Sequence, residues 1–149
     1  MADLPGAVLF ACTLNAFRSP MAEALMKHLY GARVYVDSCG VRPEGGEPDP
    51  FVVAVMDEMG IDMRHFTPKA FDDLDDGGFD LIITLSPEAH HHALELTRTE
   101  AVEVEYWPTQ DPSAFFGARD HILAAYRDVR DGLLDRITTR FGSLAAPGV

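Results

Sequence analysis

The chain has 149 residues and a mass of 16.4 kDa, with 47 % apolar and 24 % charged residues. That is the make-up of one folded domain over residues 1–149, not of a disordered, collagen-like or disulfide-stapled chain. Lys and Arg number 12 against 24 Asp and Glu, a formal charge of −12, which disfavours nucleic acid and anionic membranes as partners.

The predicted elements follow in chain order. Ala7-Val8-Leu9-Phe10-Ala11 is continuously apolar and reads as a buried strand. Ser19-Pro20 opens a helix, with Ser19 as cap and Pro20 in the first turn. Met21, Ala22, Leu25, Met26 and Leu29 carry the helix at three- and four-residue steps, and Gly31 ends it. Val34-Tyr35-Val36 reads as a short second strand, and residues 40–50, rich in Gly and Pro, as a loop. Val52, Val53, Met56 and Met59 mark a second helix closed by Gly60. Gly77-Gly78 breaks the acidic stretch Asp72–Asp76, which reads as solvated. Leu81–Leu85 is a third apolar strand and Pro87–Leu96 a helix. Val102, Val104 and Tyr106 alternate with Glu103, Glu105 and Trp107, the pattern of a half-exposed strand. Ile122, Tyr126, Val129, Leu133 and Ile137 make the stripe of a last helix.

Strands alternating with helices predict an α/β fold with a four-stranded parallel sheet. The two fully apolar strands belong in the middle and the short and half-polar strands at the edges. The order is then 2-1-3-4, doubly wound with helices on both faces. In such a sheet ligands sit at the carboxyl ends of the strands, where the winding reverses. Here that is the loop leaving the first strand. No apolar run reaches the roughly 18–20 residues that span a bilayer. The first residues carry no basic stretch, so the expected location is the cytoplasm.

That loop reads Cys12-Thr13-Leu14-Asn15-Ala16-Phe17-Arg18-Ser19. Successive backbone N–H groups in a tight loop make an anion-binding nest, and the N-terminus of the following helix adds its positive dipole end. Arg18 offers a planar fork to two oxygens of a phosphate. Positive potential of this kind favours the thiolate of Cys12, the nucleophilic form. Asn15 tolerates the left-handed backbone that a loop wrapped around an anion requires. Ser19 caps the helix and hydrogen-bonds the thiolate as it leaves. No metal or other cofactor is needed, because the loop and Arg18 supply the positive charge.

The segment Val8–Ala24 resembles the N-terminus of the low-molecular-weight protein tyrosine phosphatases, which have Cys-x5-Arg-Ser/Thr after the first strand and an Asp-Pro pair far downstream. The resemblance continues through Asp37-Ser38, Asp49-Pro50 and Gly60-Ile61-Asp62 to Asp111-Pro112, and so covers nearly the whole chain. It implies a phosphatase acting on phosphomonoesters, phosphotyrosine in proteins foremost, through a phosphocysteine. By resemblance Cys12 is the nucleophile, Arg18 the phosphate-binding arginine and Asp111 the general acid. Thr13, Leu14, Asn15, Ala16, Phe17 and Ser19 contribute the substrate loop, and Asn15, Ser19 and Ser38 brace it. Read from the residues alone, Asp-Pro is also an ordinary turn pair, and Asp111 is one of many acids.

The chain departs from the family pattern in places. Ser113 and Ala114 follow Asp111-Pro112 where many members carry two aromatics. Phe115 and Phe116 come next, as a shifted pocket wall or as packing beneath the last helix. Cys39 lies beside Ser38, within reach of Cys12 or simply as a small buried residue. A sister group, the thioredoxin-linked arsenate reductases, relays oxidation through cysteines after the third strand. Residues 82–97 hold none here, and Ser86 stands near the expected place. His90-His91-His92 cannot converge on one ion from a helix, whose neighbours are about 100° apart, and reads as a solvated face. Two alternatives accompany the phosphatase: an arsenate reductase served by glutathione or a partner thiol protein, and a non-catalytic oxyanion-binding module. Mere binding needs neither thiol nor acid, which speaks against the module.

Overall fold

Strand β1 runs Ala7–Cys12, one residue beyond the apolar run, and delivers the Cys12 side chain to its carboxyl end. The computed structural model describes residues 4–43, 46–74 and 78–142. Around β1 lie β2 (Tyr35–Gly40), β3 (Leu81–Thr84) and β4 (Glu103–Tyr106), all parallel, in the order β2-β1-β3-β4. The connecting helices are α1 (Arg18–Tyr30), α2 (Pro50–Asp57), α3 (Pro87–Leu96) and α4 (Arg119–Phe141). The doubly wound arrangement expected from the strand polarities is present. Val8, Phe10, Leu81 and Ile83 point into a core under α1, α2 and α4, while Leu9, Ala11 and Ile82 face α3 through Ala89 and Ala93. A strand covered on both faces has no polar side to show, hence the unbroken apolar runs of β1 and β3. Among the described residues no helix is long and apolar enough to cross a membrane.

Several elements differ from the sequence reading. β2 extends to Gly40 instead of stopping at Val36, because its ladder with β1 continues through Leu9↔Asp37, Phe10↔Ser38 and Ala11↔Cys39. Pairing with a neighbour, not local apolarity, sets its length. Helix α1 begins at Arg18, and Phe17 stands at its N-cap with no capping side chain. Ser19 is therefore not the cap; its hydroxyl is engaged in the loop. Helix α2 begins at Pro50, because the carboxylate of Asp49 accepts the N–H groups of Phe51 and Val52.

Trp107 is not on an exposed face. It is 5 % exposed, sits edge-on to Phe10 at 6.2 Å, and lies under the guanidinium of Arg136 from α4. The same helix sends Arg140 to Glu105 at 2.8 Å, so α4 covers the half-polar face of β4. His90 is not merely solvated: its Nδ1 lies 2.9 Å from Thr84 Oγ1 and its ring stacks on Tyr106 at 4.6 Å. His91 is exposed and His92 leans on Phe71. Among the described residues no three His, Cys, Asp or Glu side chains converge as metal ligands. Asp72 and Asp73 are exposed, in a short 3₁₀ turn at Phe71–Asp73. The rest of that acidic stretch, residues 75–76, and Gly77 lie outside the described residues.

Candidate active site

The loop between β1 and α1 lies at the carboxyl edge of the sheet, where β1 sits between β2 and β3. Cys12 is 1 % exposed, and its Sγ is 2.9 Å from Ser19 Oγ and 3.3 Å from the Asn15 N–H, which donates to it. Asn15 has φ of +53°, the left-handed conformation expected of it. Its amide is fully used. Nδ2 donates to Ser19 Oγ at 2.9 Å and to Ser38 Oγ at 3.1 Å, and Oδ1 accepts the Lys69 N–H at 2.8 Å.

These bonds fix proton directions. Ser19 Oγ receives an Asn15 proton, so its own proton turns to Cys12 Sγ or to the Cys39 carbonyl at 3.3 Å. A thiolate has no proton to give, so Ser19 donates to it; charge-assisted bonds of this kind are about twice as strong as neutral ones. Ser38 in turn donates to Glu23 Oε1 at 2.5 Å, and Lys27 pairs with the other oxygen of that carboxylate. Glu23 is buried yet satisfied on both oxygens, the condition for keeping a charge there.

Arg18 is 9 % exposed, and its Nη1 donates to the Thr109 carbonyl at 3.0 Å. Its Nε is a buried donor without a protein partner among the described residues. The N–H groups of Leu14, Ala16 and Phe17 likewise have no protein acceptor there. A buried unpaired donor such as Arg18 Nε is costly, and with unpaired N–H groups in the same loop it suits an oxyanion that accepts from them. The start of α1 adds its dipole, with no acid in its first turn to oppose it. Thr13 Oγ1 donates to Ser86 Oγ at 2.9 Å, and its carbonyl accepts the Arg42 N–H.

Arg18 also joins the loop to the segment that carries Asp111. Residues 107–109 extend along β3, with the Trp107 and Thr109 N–H groups on the Thr84 and Leu85 carbonyls. Two residues later, Asp111 Oδ1 accepts the Ser113 N–H at 2.9 Å and the Ser113 hydroxyl at 2.7 Å. Oδ2 has no hydrogen-bond partner among the described residues. Ser113 thus orients the carboxyl instead of supplying an aromatic wall. Phe115 lines a groove against α4, while Phe116 is 83 % exposed. The aromatics joined to the loop come from elsewhere. Phe17 meets Tyr126 of α4 edge-on at 6.1 Å, and Phe51 of α2 lies on the same ring at 5.3 Å. Burial, then Asp49, then Asp111 push the Tyr126 hydroxyl up from its ordinary range.

Cys39 pairs with Ala11, one position out of phase with Cys12, so its side chain points to the α3 face while Cys12 points to the other. Both are free cysteines. Burial foremost, and Cys12 next, push the Cys39 thiol well up, the state of an inert buried residue.

Sequence reasoning missed Glu23, Lys69 and Gly40. The signal for Glu23 was the i, i+4 row Ser19–Glu23–Lys27 on one helix face. Gly40 needs its missing side chain: a Cβ there would lie 2.7 Å from Asn15 N and 2.9 Å from Leu14 C and Thr13 O. Gly40→Ala is expected to cost about 1–3 kcal/mol of stability by overpacking and to lower phosphate affinity, as Asn15 is displaced. Urea unfolding and phosphate titration of the variant check this; wild-type values in both would show that the loop has slack.

Comparison with known proteins gives this geometry a context. The family model for low molecular weight phosphotyrosine protein phosphatase matches residues 7–138. Among curated sequences, an arsenate reductase of Bacillus subtilis is 32 % identical over 130 residues, covering 87 % of this chain and 91 % of that protein. Among solved structures, a YwlE mutant from Bacillus subtilis is 26 % identical with a TM-score of 0.70, covering 87 % of this chain and 92 % of that one. Another YwlE structure is described as an arginine phosphatase. The low molecular weight protein tyrosine phosphatase from T. tengcongensis is 25 % identical with a TM-score of 0.73, covering 91 % of this chain and 99 % of that one.

Proposed function

Because this chain belongs to the low molecular weight phosphotyrosine protein phosphatase family, we propose that it hydrolyses phosphomonoesters through a phosphocysteine on Cys12. The observation that carries this reading is the set of donors without a protein acceptor in the loop that follows the buried Cys12: Arg18 Nε and the N–H groups of Leu14, Ala16 and Phe17. Cys12 Sγ attacks phosphorus in line as the P–O ester bond breaks. Asp111 hands its proton to the leaving oxygen from the free Oδ2. The loop donors and Arg18 hold the three equatorial oxygens through the transfer. Water then attacks phosphorus, Asp111 takes its proton, and the S–P bond breaks to release phosphate. Ser19 O–H stabilises the departing thiolate. Family membership makes protein phosphotyrosine the first substrate to test, and Phe17, packed on Tyr126 as Phe51 is, is the aromatic side chain carried by the loop itself.

A second reading has specific support in the curated relative named arsenate reductase. Cys12 would attack arsenic with loss of water. An external thiol would then take Cys12 into a mixed disulfide and release arsenite, and a second thiol would resolve it. Both reducing thiols would come from outside, because Cys39 faces the other side of the sheet and α3 holds no cysteine.

Rapid-quench trapping of a phosphocysteine from p-nitrophenyl phosphate, beside arsenate-dependent thiol consumption, decides between the two. The phosphatase reading expects the first and not the second. Arg18→Lys keeps the charge but loses the planar fork, so kcat/KM is expected to fall roughly 10- to 100-fold, the worth of a charged hydrogen bond or two. Wild-type kinetics in that variant would make Arg18 a structural tie to Thr109 alone.

A further inference from the structure

A second cavity, of about 390 Å³, lies between α1 and the segment 61–66, and none of its lining residues belongs to the loop 12–18. Its volume is in the range of about 300–1,000 Å³ that holds small ligands. We propose that this cavity binds a small aromatic carboxylate and transmits its occupation to Cys12 through Asn15.

The chemistry of the walls selects the ligand. Ala24, Met63 and Phe66 give an apolar floor suited to a flat ring. The two lining acids are already committed: Asp62 to Arg64 through both oxygens, and Glu23 to Ser38 and Lys27. The other polar groups of the lining are the imidazoles of His28 and His65, each able to donate through one ring nitrogen, and the remaining N–H groups of Lys27. An anion on an apolar ring answers both features.

The link to the loop runs from both walls to one residue. On the α1 side, Lys27 pairs with Glu23, Glu23 accepts from Ser38, and Ser38 Oγ accepts from Asn15 Nδ2. On the other side, the Lys69 ammonium lies 5.6 Å over the Phe66 ring, and the Lys69 N–H donates to Asn15 Oδ1 at 2.8 Å. Lys69 is further tied to Asp37 at 2.8 Å. A carboxylate on the rim competes with Glu23 for Lys27, and a ring on the floor shifts Phe66. Each strains an anchor of Asn15, whose N–H is 3.3 Å from Cys12 Sγ. Occupation therefore weakens oxyanion binding in the loop without blocking it.

Titration of the whole chain with 2-naphthoate and inorganic phosphate tests this, by calorimetry and amide NMR. The expected result is saturable naphthoate binding with shifts at Ala24, His28 and Phe66. Under saturating naphthoate the Kd for phosphate rises to a plateau about fivefold higher, and phosphate weakens naphthoate by the same factor, as linkage requires. His65→Ala weakens naphthoate binding. Ser38→Ala lets naphthoate bind but removes most of the coupling. A phosphate Kd that climbs without a plateau means naphthoate competes inside the loop, and overturns the proposal. So does a coupling factor of one, or no binding at millimolar naphthoate. If the loop binds no phosphate, the phosphatase reading fails. Naphthoate shifts that reach Asn15 and Ser38 would then still support this site, and their confinement to the cavity would overturn it.

Discussion

Replacing Cys12 by serine is expected to abolish phosphomonoester turnover while leaving phosphate binding nearly intact. The hydroxyl of serine is a far weaker acid than a thiol, and Ser19 and the Asn15 N–H, at 2.9 and 3.3 Å from Sγ, are arranged to stabilise an anionic sulfur. Removing a nucleophile of this kind costs roughly 10⁵–10⁶-fold in kcat. The donors proposed to hold the oxyanion belong to the backbone and to Arg18, so they survive the exchange. Turnover of p-nitrophenyl phosphate and calorimetric titration with phosphate separate the two effects. Hydrolysis at the wild-type rate by Cys12→Ser would remove Cys12 from the mechanism.

Asp111→Asn is expected to have the second largest effect, and its signature is dependence on the leaving group. The asparagine Oδ1 keeps its bonds from the Ser113 N–H and hydroxyl, so the segment keeps its shape. What is lost is a carboxyl oxygen able to carry and deliver a proton. A positioned acid contributes about 10²–10⁴-fold, so hydrolysis of phenyl or alkyl phosphate falls by that amount. Phosphocysteine formation from p-nitrophenyl phosphate suffers less, because p-nitrophenolate leaves with little help. Stopped-flow bursts with both substrates make the comparison. Equal slowing of the formation step would mean that Asp111 is not the acid. The nearest substitutes are poorer. Asp49 spends its carboxylate on the Phe51 and Val52 N–H groups, and Asp120 is exposed in the first turn of α4.

Of the two residues, Cys12 stands out in the amino-acid sequence alone, whereas Asp111, one acid among many in an ordinary Asp-Pro pair, is picked out only by the family resemblance. The apolar runs of β1 and β3 set the centre of the sheet, and with the strand–helix alternation they determine the order 2-1-3-4. Cys12, Arg18 and Ser19 are recognisable because they fall close together where a buried strand passes into a helix. Local spacing carries such information whenever the interacting groups are few residues apart.

What the sequence did not determine is every partner reached across the fold. Arg18 holds a carbonyl 91 residues away, and Asn15 is anchored by Ser38 and by Lys69, 23 and 54 residues on. Gly40 must lack a side chain only because the loop 13–15 passes over it. The hydroxyl of Ser19 fits a helix cap by its position, yet the structure spends it on Cys12 and Asn15, because burial makes an unpaired polar group more costly than an uncapped helix end. Cys39 is parted from Cys12 by the strand register, since a shift of one residue sends a side chain to the opposite face. The order of the strands and the identity of the loop lie in the sequence by itself. That Ser19 bonds the thiol was legible from their spacing, but which amide, hydroxyl and carboxylate hold Asn15 and Ser19 in place was decided only by tertiary structure, because each of those choices balances desolvation against partners that distant segments bring.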